Sequence, residues 1–415
     1  MIKAMRKDLV VVGAGPAGIA AALKAREKGV KDILLVERAE RLGGILNQCV
    51  HDGFGLELFK TALTGPEYAQ SYIDRLEKEK IPYLLNATVT SLTPGKTLTI
   101  VSPQGLLEVS AKAVILATGC RERTREMIHI PGTRPAGVYT AGCAQNLINI
   151  LGVLPGRSVV ILGSGDIGLI MARRLTLEGA RVLAVVEILP YASGLRRNIV
   201  QCLEDYNIPL FLSHTVVDVK GSKRLEGVTI AQVDDPFKPI AGTEKEFVCD
   251  TLLLSVGLIP ENELAEKAGV EMDSVTAGPS VNEFNETTVP GIYAAGNTLQ
   301  VHDLVDWATL EAENAGEQAA DYIHGGVSGK RRFRISTGHG VRQAVPQYYS
   351  GEHDVLLSLR VSVPFRGKTL AVRAGEAVIK KMSYAELNPA EMQRVKLSKD
   401  EVKGTRGLSV SIEDG

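Results

Sequence analysis

Leu9-Val10-Val11-Val12-Gly13-Ala14-Gly15-Pro16-Ala17-Gly18 decides how this chain is read. A β-branched apolar run stops at a glycine-rich turn, and Ile19 to Lys28 continues in an alanine-rich helical pattern. The next apolar run, Ile33 to Val36, ends at Glu37. The same grammar returns later: Val159-Val160-Ile161-Leu162, then Gly163-Ser164-Gly165-Asp166-Ile167-Gly168, a helix through Leu177, and Val182 to Val186 ending at Glu187. In both copies the first glycine and the acid stand 24 positions apart. One GxGxxG string is weak evidence, because glycine-rich turns are common. Strand, loop, helix, strand and acid repeated at one spacing is not a chance pattern.

Each residue type in the loop has a physical task. The first glycine permits the tight turn, the second lets a pyrophosphate approach the backbone, and the third lets helix and strand pack closely. The helix N-terminus adds unpaired N–H groups and about half a positive charge. Glu37 and Glu187 are expected to accept hydrogen bonds from adenosine ribose hydroxyls, and a carboxylate there repels a 2′-phosphate. The second site should therefore prefer NAD(H) to NADP(H); Ile188 to Ala192 contain no arginine, leaving Arg196 and Arg197 as the nearby candidates for a 2′-phosphate. The competing reading is two tight turns without ligand and two solvated strand-end charges.

Outside the repeats the sequence predicts a helix at Glu67 to Lys78 and alternating strand-like segments from Ala87 to Val109. Each half closes with an apolar strand running into glycine: Ala113 to Leu116 before Ala117-Thr118-Gly119, and Asp250 to Val256 before Gly257. Val289 to Asn297 gives a further strand and turn, followed by a helix at about Leu304 to Ile323. Gly325-Gly326-Val327-Ser328-Gly329 looks like a linker, and Val355 to Val363, Lys368 to Arg373 and Ala377 to Met382 alternate as strands do. The expected architecture is α/β, with two Rossmann-like dinucleotide-binding domains, the second inserted in the first, plus a small β-rich C-terminal appendage. The boundaries are residues 1–122, 123–262, 263–326 and 327–415.

Composition narrows the function classes. The 415 residues carry 47 Lys plus Arg against 48 Asp plus Glu, so no global field favours nucleic acid or anionic lipid. Charge is nevertheless segregated: residues 327–415 hold 16 basic against 9 acidic residues, leaving the first 326 with 31 against 39. Five cysteines, none closer than 23 residues to another, provide neither a CxxC redox pair nor a paired-cysteine zinc motif. No metal site is expected. No window reaches the ~18 uninterrupted apolar residues of a membrane span, nor is there an apolar export segment, so the expected setting is a reducing cytoplasm.

With these motifs in place, residues 8 to about 323 resemble the two-dinucleotide-binding-domain flavoproteins of the pyridine nucleotide-disulfide oxidoreductase superfamily. The resemblance implies FAD at the first loop and NAD(P)H at the second. It assigns Gly13, Gly15, Pro16, Ala17, Gly18, Glu37, Arg38, Gly44, Val89, Ala117, Thr118, Gly119, Gly296, Asn297, Asp306 and Trp307 to FAD. Gly163, Gly165, Asp166, Ile167, Gly168, Glu187 and Gly257 are assigned to NAD. Where the family usually has Gly-Asp, this chain has Gly296-Asn297, whose amide can still hydrogen-bond a ribityl hydroxyl without charge. The segments Gly43 to Gly55, Leu63 to Ala69 and His302 to Trp307 are similar to partners of anaerobic glycerol-3-phosphate-dehydrogenase-like flavoproteins and, more distantly, to α subunits of opine and amino-acid dehydrogenases. Two departures stand out: no cysteines follow Cys249 for an iron–sulfur module, and the last 89 residues do not match the large dimerisation domain of glutathione reductase-type enzymes.

The implied reaction is hydride transfer from NADH C4 to flavin N5, which needs ring stacking and charge stabilisation more than acid–base help. A helix starting near Leu304 would aim its positive end, with the N–H groups of Asp306 and Trp307, at the flavin N1–C2=O edge. Alternatively Asp306 is an ordinary helix-start carboxylate and Trp307 a core residue. Cys49 stands where relatives place a flavin-adjacent cysteine, and His51 could lower its pKa; the plain alternative is a small buried apolar residue beside a structural histidine. His302 is a further acid–base candidate. Three functions follow: an electron-transfer subunit working with a partner dehydrogenase through the basic tail, a self-sufficient NADH oxidase, peroxidase or disulfide reductase using Cys49, or a non-catalytic assembly subunit with structural FAD. The basic tail could equally pack on the acidic body.

Overall fold

The computed structural model describes residues 3–326 and 333–414, so Val327, Ser328 and Gly329 of the expected linker lie outside the described residues. The chain divides into two compact units, Met1–Cys120 with Pro260–Gly415, and Arg121–Ile259.

In the first unit, strand Lys3–Val12 lies between Ile33–Val36 and Gly105–Leu116, parallel to both. Registers place Val12 opposite Val36 and Leu116, and Leu116 opposite Ala294 of strand Ile292–Ala294, so four strands end level at one edge. Ligands of open α/β sheets bind at such carboxyl ends. Gly105–Leu116 has 12 residues and serves two partners: its first part pairs antiparallel with Thr97–Ser102, its last three residues with Ile292–Ala294. Helix Pro16–Glu27 follows the first glycine loop, and its buried face is mostly alanine and glycine. Small residues also line the buried face of the long helix Val305–Ile323, where a Cβ on Gly316 would lie 2.3 Å from the Ala21 carbonyl oxygen. The high glycine and alanine content thus permits close helix approach.

Residues 333–414 form a five-stranded and a three-stranded sheet around a core that includes Tyr349, Leu357, Leu370, Val372 and Val410. The expected separate appendage is instead part of the first compact unit. The reason is polar stitching: the Gln347 side-chain oxygen accepts the Val281 N–H at 3.0 Å, Arg360 donates to the Val301 carbonyl at 3.1 Å, and Asp303 accepts the Met392 N–H at 3.2 Å.

The second unit repeats the design with five parallel strands, in the order Leu210–Leu212, Arg181–Glu187, Ser158–Leu162, Thr251–Leu254, Val138–Thr140. Leu162 stands opposite Val186 and Leu254, again bringing the strand ends level beside a glycine loop. An antiparallel trio, His214–Gly221, Leu225–Gln232 and Lys245–Phe247, completes it. Among the described residues no helix is long and apolar enough to cross a membrane.

Candidate functional site: two glycine loops

In the first loop two glycines are required by the protein itself. Gly13 has φ +101°, and a Cβ there would lie 2.2 Å from the Ala117 carbonyl oxygen; one on Gly18 would lie 1.8 Å from the Gly13 oxygen. Gly15 differs: the nearest atom to its Cβ would be the Gly44 Cα, 4.0 Å away. Gly15 is also the N-cap of helix Pro16–Glu27, with no side chain capping it. The loop therefore presents helix N–H groups beside a backbone with open approach, which fits a pyrophosphate. Glu37 is buried, and its two oxygens accept the N–H of Ala14 at 2.7 Å and of Ala39 at 2.8 Å. A carboxylate has about four acceptor positions, so two remain for a ribose diol. Arg38 is exposed next to it.

The second loop copies this geometry. A Cβ on Gly163 would lie 2.0 Å from the Ser255 carbonyl oxygen, and one on Gly168 would lie 2.6 Å from the Gly163 oxygen; Gly165 again has nothing nearer than 3.5 Å. Ser255 stands where Ala117 stands in the first loop, and its hydroxyl accepts the Gly168 N–H at 3.1 Å. Glu187 is buried like Glu37 but more heavily engaged. Its Oε2 accepts the Ser164 N–H (2.9 Å), the Ser164 hydroxyl (2.6 Å) and the Ser193 hydroxyl (2.9 Å), and Oε1 accepts the Leu189 N–H (3.1 Å). Asp166 Oδ1 accepts the Leu195 N–H at 2.8 Å and the Asn198 amide at 2.6 Å, folding segment 188–195 back on the loop. Ile167 is half-buried on the helix that follows, and the Gly257 carbonyl accepts the Arg123 N–H at 3.0 Å. Arg196 and Arg197 are exposed, the former 3.5 Å from Glu204.

Two residues that sequence reasoning missed close the first loop. Thr298, fully buried, accepts the Gly119 N–H at 2.8 Å and shares a 3.0 Å hydroxyl contact with Thr118. Glu311 accepts the Gly296 N–H at 2.8 Å, holding a turn in which a Cβ on Gly296 would meet the Ala17 Cβ at 2.8 Å. Neither carries a local motif; both act across the fold.

Several assigned side chains do not face this loop. The resemblance points Asn297 at a ribityl hydroxyl, but its oxygen accepts the His302 N–H at 3.0 Å and its amide donates to Cys120 Sγ at 3.5 Å. Val89 is buried in the apolar cluster that includes Val12 and Val36. The Trp307 backbone N–H donates to the Leu304 carbonyl at 3.2 Å, and its ring lies under Arg394, 4.4 Å from centroid to guanidinium carbon. Asp306 turns to the loop before helix Gly65–Lys78, where it accepts the Glu57 N–H at 3.1 Å. Burial holds the Asp306 carboxyl above the usual range, and its second oxygen is buried without a partner. A carboxyl whose pKa rises on folding stabilises the fold in its protonated form, and that contribution is lost as pH rises through the folded pKa. Asp306→Asn should therefore raise the melting temperature at neutral pH, with the gain disappearing in acid, as scanning calorimetry across pH would show.

Cys49 corrects a larger expectation. It is buried beneath the start of helix Gly65–Lys78, its Sγ donates to the Ile45 carbonyl at 3.3 Å, and burial alone pushes its pKa up to about 12. His51 stacks its ring on Phe54 at 5.0 Å and does not lower the pKa of that thiol. The thiol is neutral at physiological pH. His302 is buried with Nε2 3.4 Å from Glu311.

The paired loops define a class: an α/β protein with two dinucleotide-binding folds, the second inserted between the two halves of the first. Residues 7–318 match the pyridine nucleotide-disulphide oxidoreductase family, and the chain belongs to it. Members of this family are oxidoreductases that use FAD and NAD(P)H. The chain is similar to the HcnB component of hydrogen cyanide synthase from Pseudomonas protegens, 28% identical over 318 residues that cover 71% of this chain and 66% of that one. It is also similar to the OoxA-type first component of opine oxidase from Agrobacterium tumefaciens, 27% identical over 312 residues, 70% of this chain and 61% of that one. The chain thus spans less than two thirds of the length of these curated relatives. The thioredoxin reductase of Lactococcus lactis shares the fold, with a TM-score of 0.64 at 21% identity over 77% of this chain and 99% of that one.

Proposed function

We propose that this chain carries hydride between NAD(H) and FAD and serves as the electron-transfer subunit of a complex with a partner dehydrogenase. FAD is assigned to the loop at Gly13, Gly15 and Gly18 with Glu37, and NAD(H) to the loop at Gly163, Gly165 and Gly168 with Glu187. The observation that carries the reading is the duplicated cradle, in which Gly15 and Gly165 each stand at an uncapped helix start with little protein opposite their missing Cβ. When bound, the nicotinamide supplies a hydride and the flavin accepts it. The chain's own residues bind and orient: loop N–H groups hold pyrophosphates, Glu37 and Glu187 hold ribose hydroxyls, and Glu311 and Thr298 fix the turns that close the first site. The subunit role is supported by the names of the two relatives, each one component of a synthase or oxidase. The partner's substrate would be a small amine or alcohol, with glycerol 3-phosphate and opines as the candidates and the cytoplasm as the setting.

Anaerobic mixing with NADH tests the chemistry: the flavin absorbance should bleach within milliseconds to seconds, since turnover of ordinary enzymes is about 1–10³ per second. A flavin that stays oxidised would leave a structural role for FAD. Affinity capture of the tagged chain from its native lysate should bring down a second dehydrogenase chain; capture of the chain alone counts against the subunit role. Cys49→Ser should change the bleaching rate by less than about twofold, because a protonated, buried thiol contributes no nucleophile. A large loss in that variant would restore thiol chemistry.

A further inference from the structure

A cavity lies within the first compact unit, between helix Val305–Ile323 and the β-rich segment. It has a volume of about 320 Å³ and is lined by Trp307, Glu311, Asn314, Glu283, Arg394 and Lys396, among others. A water occupies about 30 Å³ of liquid, so the space suits a molecule of up to roughly ten non-hydrogen atoms.

Arg394 is the unusual group there. Its guanidinium lies over the ring of Trp307 at 4.4 Å. Among the described residues its side chain makes no hydrogen bond and no ion pair, although it is half-buried and burial lowers its pKa. The carboxylates on the same wall are committed elsewhere or only partly available. Glu311 accepts the Gly296 N–H at 2.8 Å and the Gln300 amide at 2.7 Å. Asp354 pairs with Lys396 at 3.3 Å. Glu283 uses Oε1 for the N–H and hydroxyl of Ser350, while its Oε2 is buried without a partner. A desolvated cation without a counter-charge is costly, and a guanidinium is a fixed fork that matches a carboxylate or phosphate in two parallel hydrogen bonds. The free Glu283 oxygen supplies an acceptor within the same cavity.

We propose that this cavity binds a small organic anion, a carboxylate or phosphate monoester carrying a hydroxyl or ammonium donor, with Arg394 forking its anionic group and Glu283 accepting from its donor. Because Trp307 is the only tryptophan in the chain, its emission reports on this cavity. The proposal rests on residues outside the two glycine loops, so its test does not depend on their assignment.

The test titrates FAD-loaded full-length protein with sodium succinate, sodium 3-hydroxybutyrate and sodium phosphate, each against sodium chloride at matched ionic strength, while Trp307 emission is followed. A saturable change with at least one of the three anions and none with chloride is expected. Arg394→Gln should weaken that binding by about tenfold or more, the usual effect of losing a hydrogen bond to a charged group. Its melting temperature without ligand should stay the same or rise, because an unpaired charge has been removed. Emission changes equal to those with chloride, an Arg394→Gln titration matching wild type, or a lower melting temperature for that variant would each overturn the assignment, the last by making Arg394 a packing group on Trp307.

Discussion

Gly15→Ala and Gly18→Ala should fail in different ways. Gly18→Ala puts a methyl 1.8 Å from the Gly13 carbonyl oxygen, a backbone atom that cannot move without shifting the turn and the strand before it. Overpacking of this kind costs about 1–3 kcal/mol or more, so the FAD-free variant should melt roughly 5 °C lower or fail to accumulate. Gly15→Ala meets nothing closer than 4.0 Å and keeps an ordinary backbone, with φ −74°. Compared as FAD-free proteins, this variant and wild type should melt within about 2 °C, because a surface methyl away from strain changes stability by about 0.5 kcal/mol or less. Its affinity for FAD should nevertheless drop about tenfold or more, since the added methyl occupies the approach that a pyrophosphate needs. Flavin retention on gel filtration and titration of FAD-free protein measure both quantities. A Gly15→Ala protein that holds FAD as wild type does would remove the first loop as the pyrophosphate cradle.

The contrast explains what could be read without coordinates. The strand runs, turn glycines and terminal acids are local patterns, with periods of two or 3.6 residues and a fixed offset, and the α/β architecture they implied is the one observed. The helix Val305–Ile323 begins one residue from its expected start. The missed features are long-range. Thr298 meets Gly119 across 179 positions, and Ser193 meets Glu187 only because segment 188–195 doubles back. Asp306 and Trp307 show the opposite failure: their place at a helix start was legible, but side-chain direction depends on the packed neighbours, here Glu57 and Arg394. The β-rich segment was legible as strands, whereas its stitching to Val281, Val301 and Asp303 rests on single polar side chains that no periodicity reveals.

Glu187 leads to the second large effect. Four protein donors already meet its carboxylate, three on Oε2 and one on Oε1, which is about all that a carboxylate can accept. A ribose diol must therefore displace a donor, and the two backbone N–H groups are fixed by the turn. The Ser193 hydroxyl, half-buried on the segment that folds over the loop, is the donor most easily released. Ser193→Ala should then tighten NADH binding by roughly two- to tenfold, the worth of one neutral hydrogen bond no longer broken on binding. Glu187→Gln keeps the shape but removes the charge that ribose hydroxyls and the 2′-position sense. It should weaken NADH about ten- to a hundredfold and narrow the preference over NADPH, because repulsion of the 2′-phosphate disappears. Calorimetric titration of each variant with both coenzymes reads these shifts directly. Should Ser193→Ala bind NADH more weakly than wild type, the hydroxyl would be a ligand of the ribose rather than its competitor, and the carboxylate would have to open through Leu189 instead.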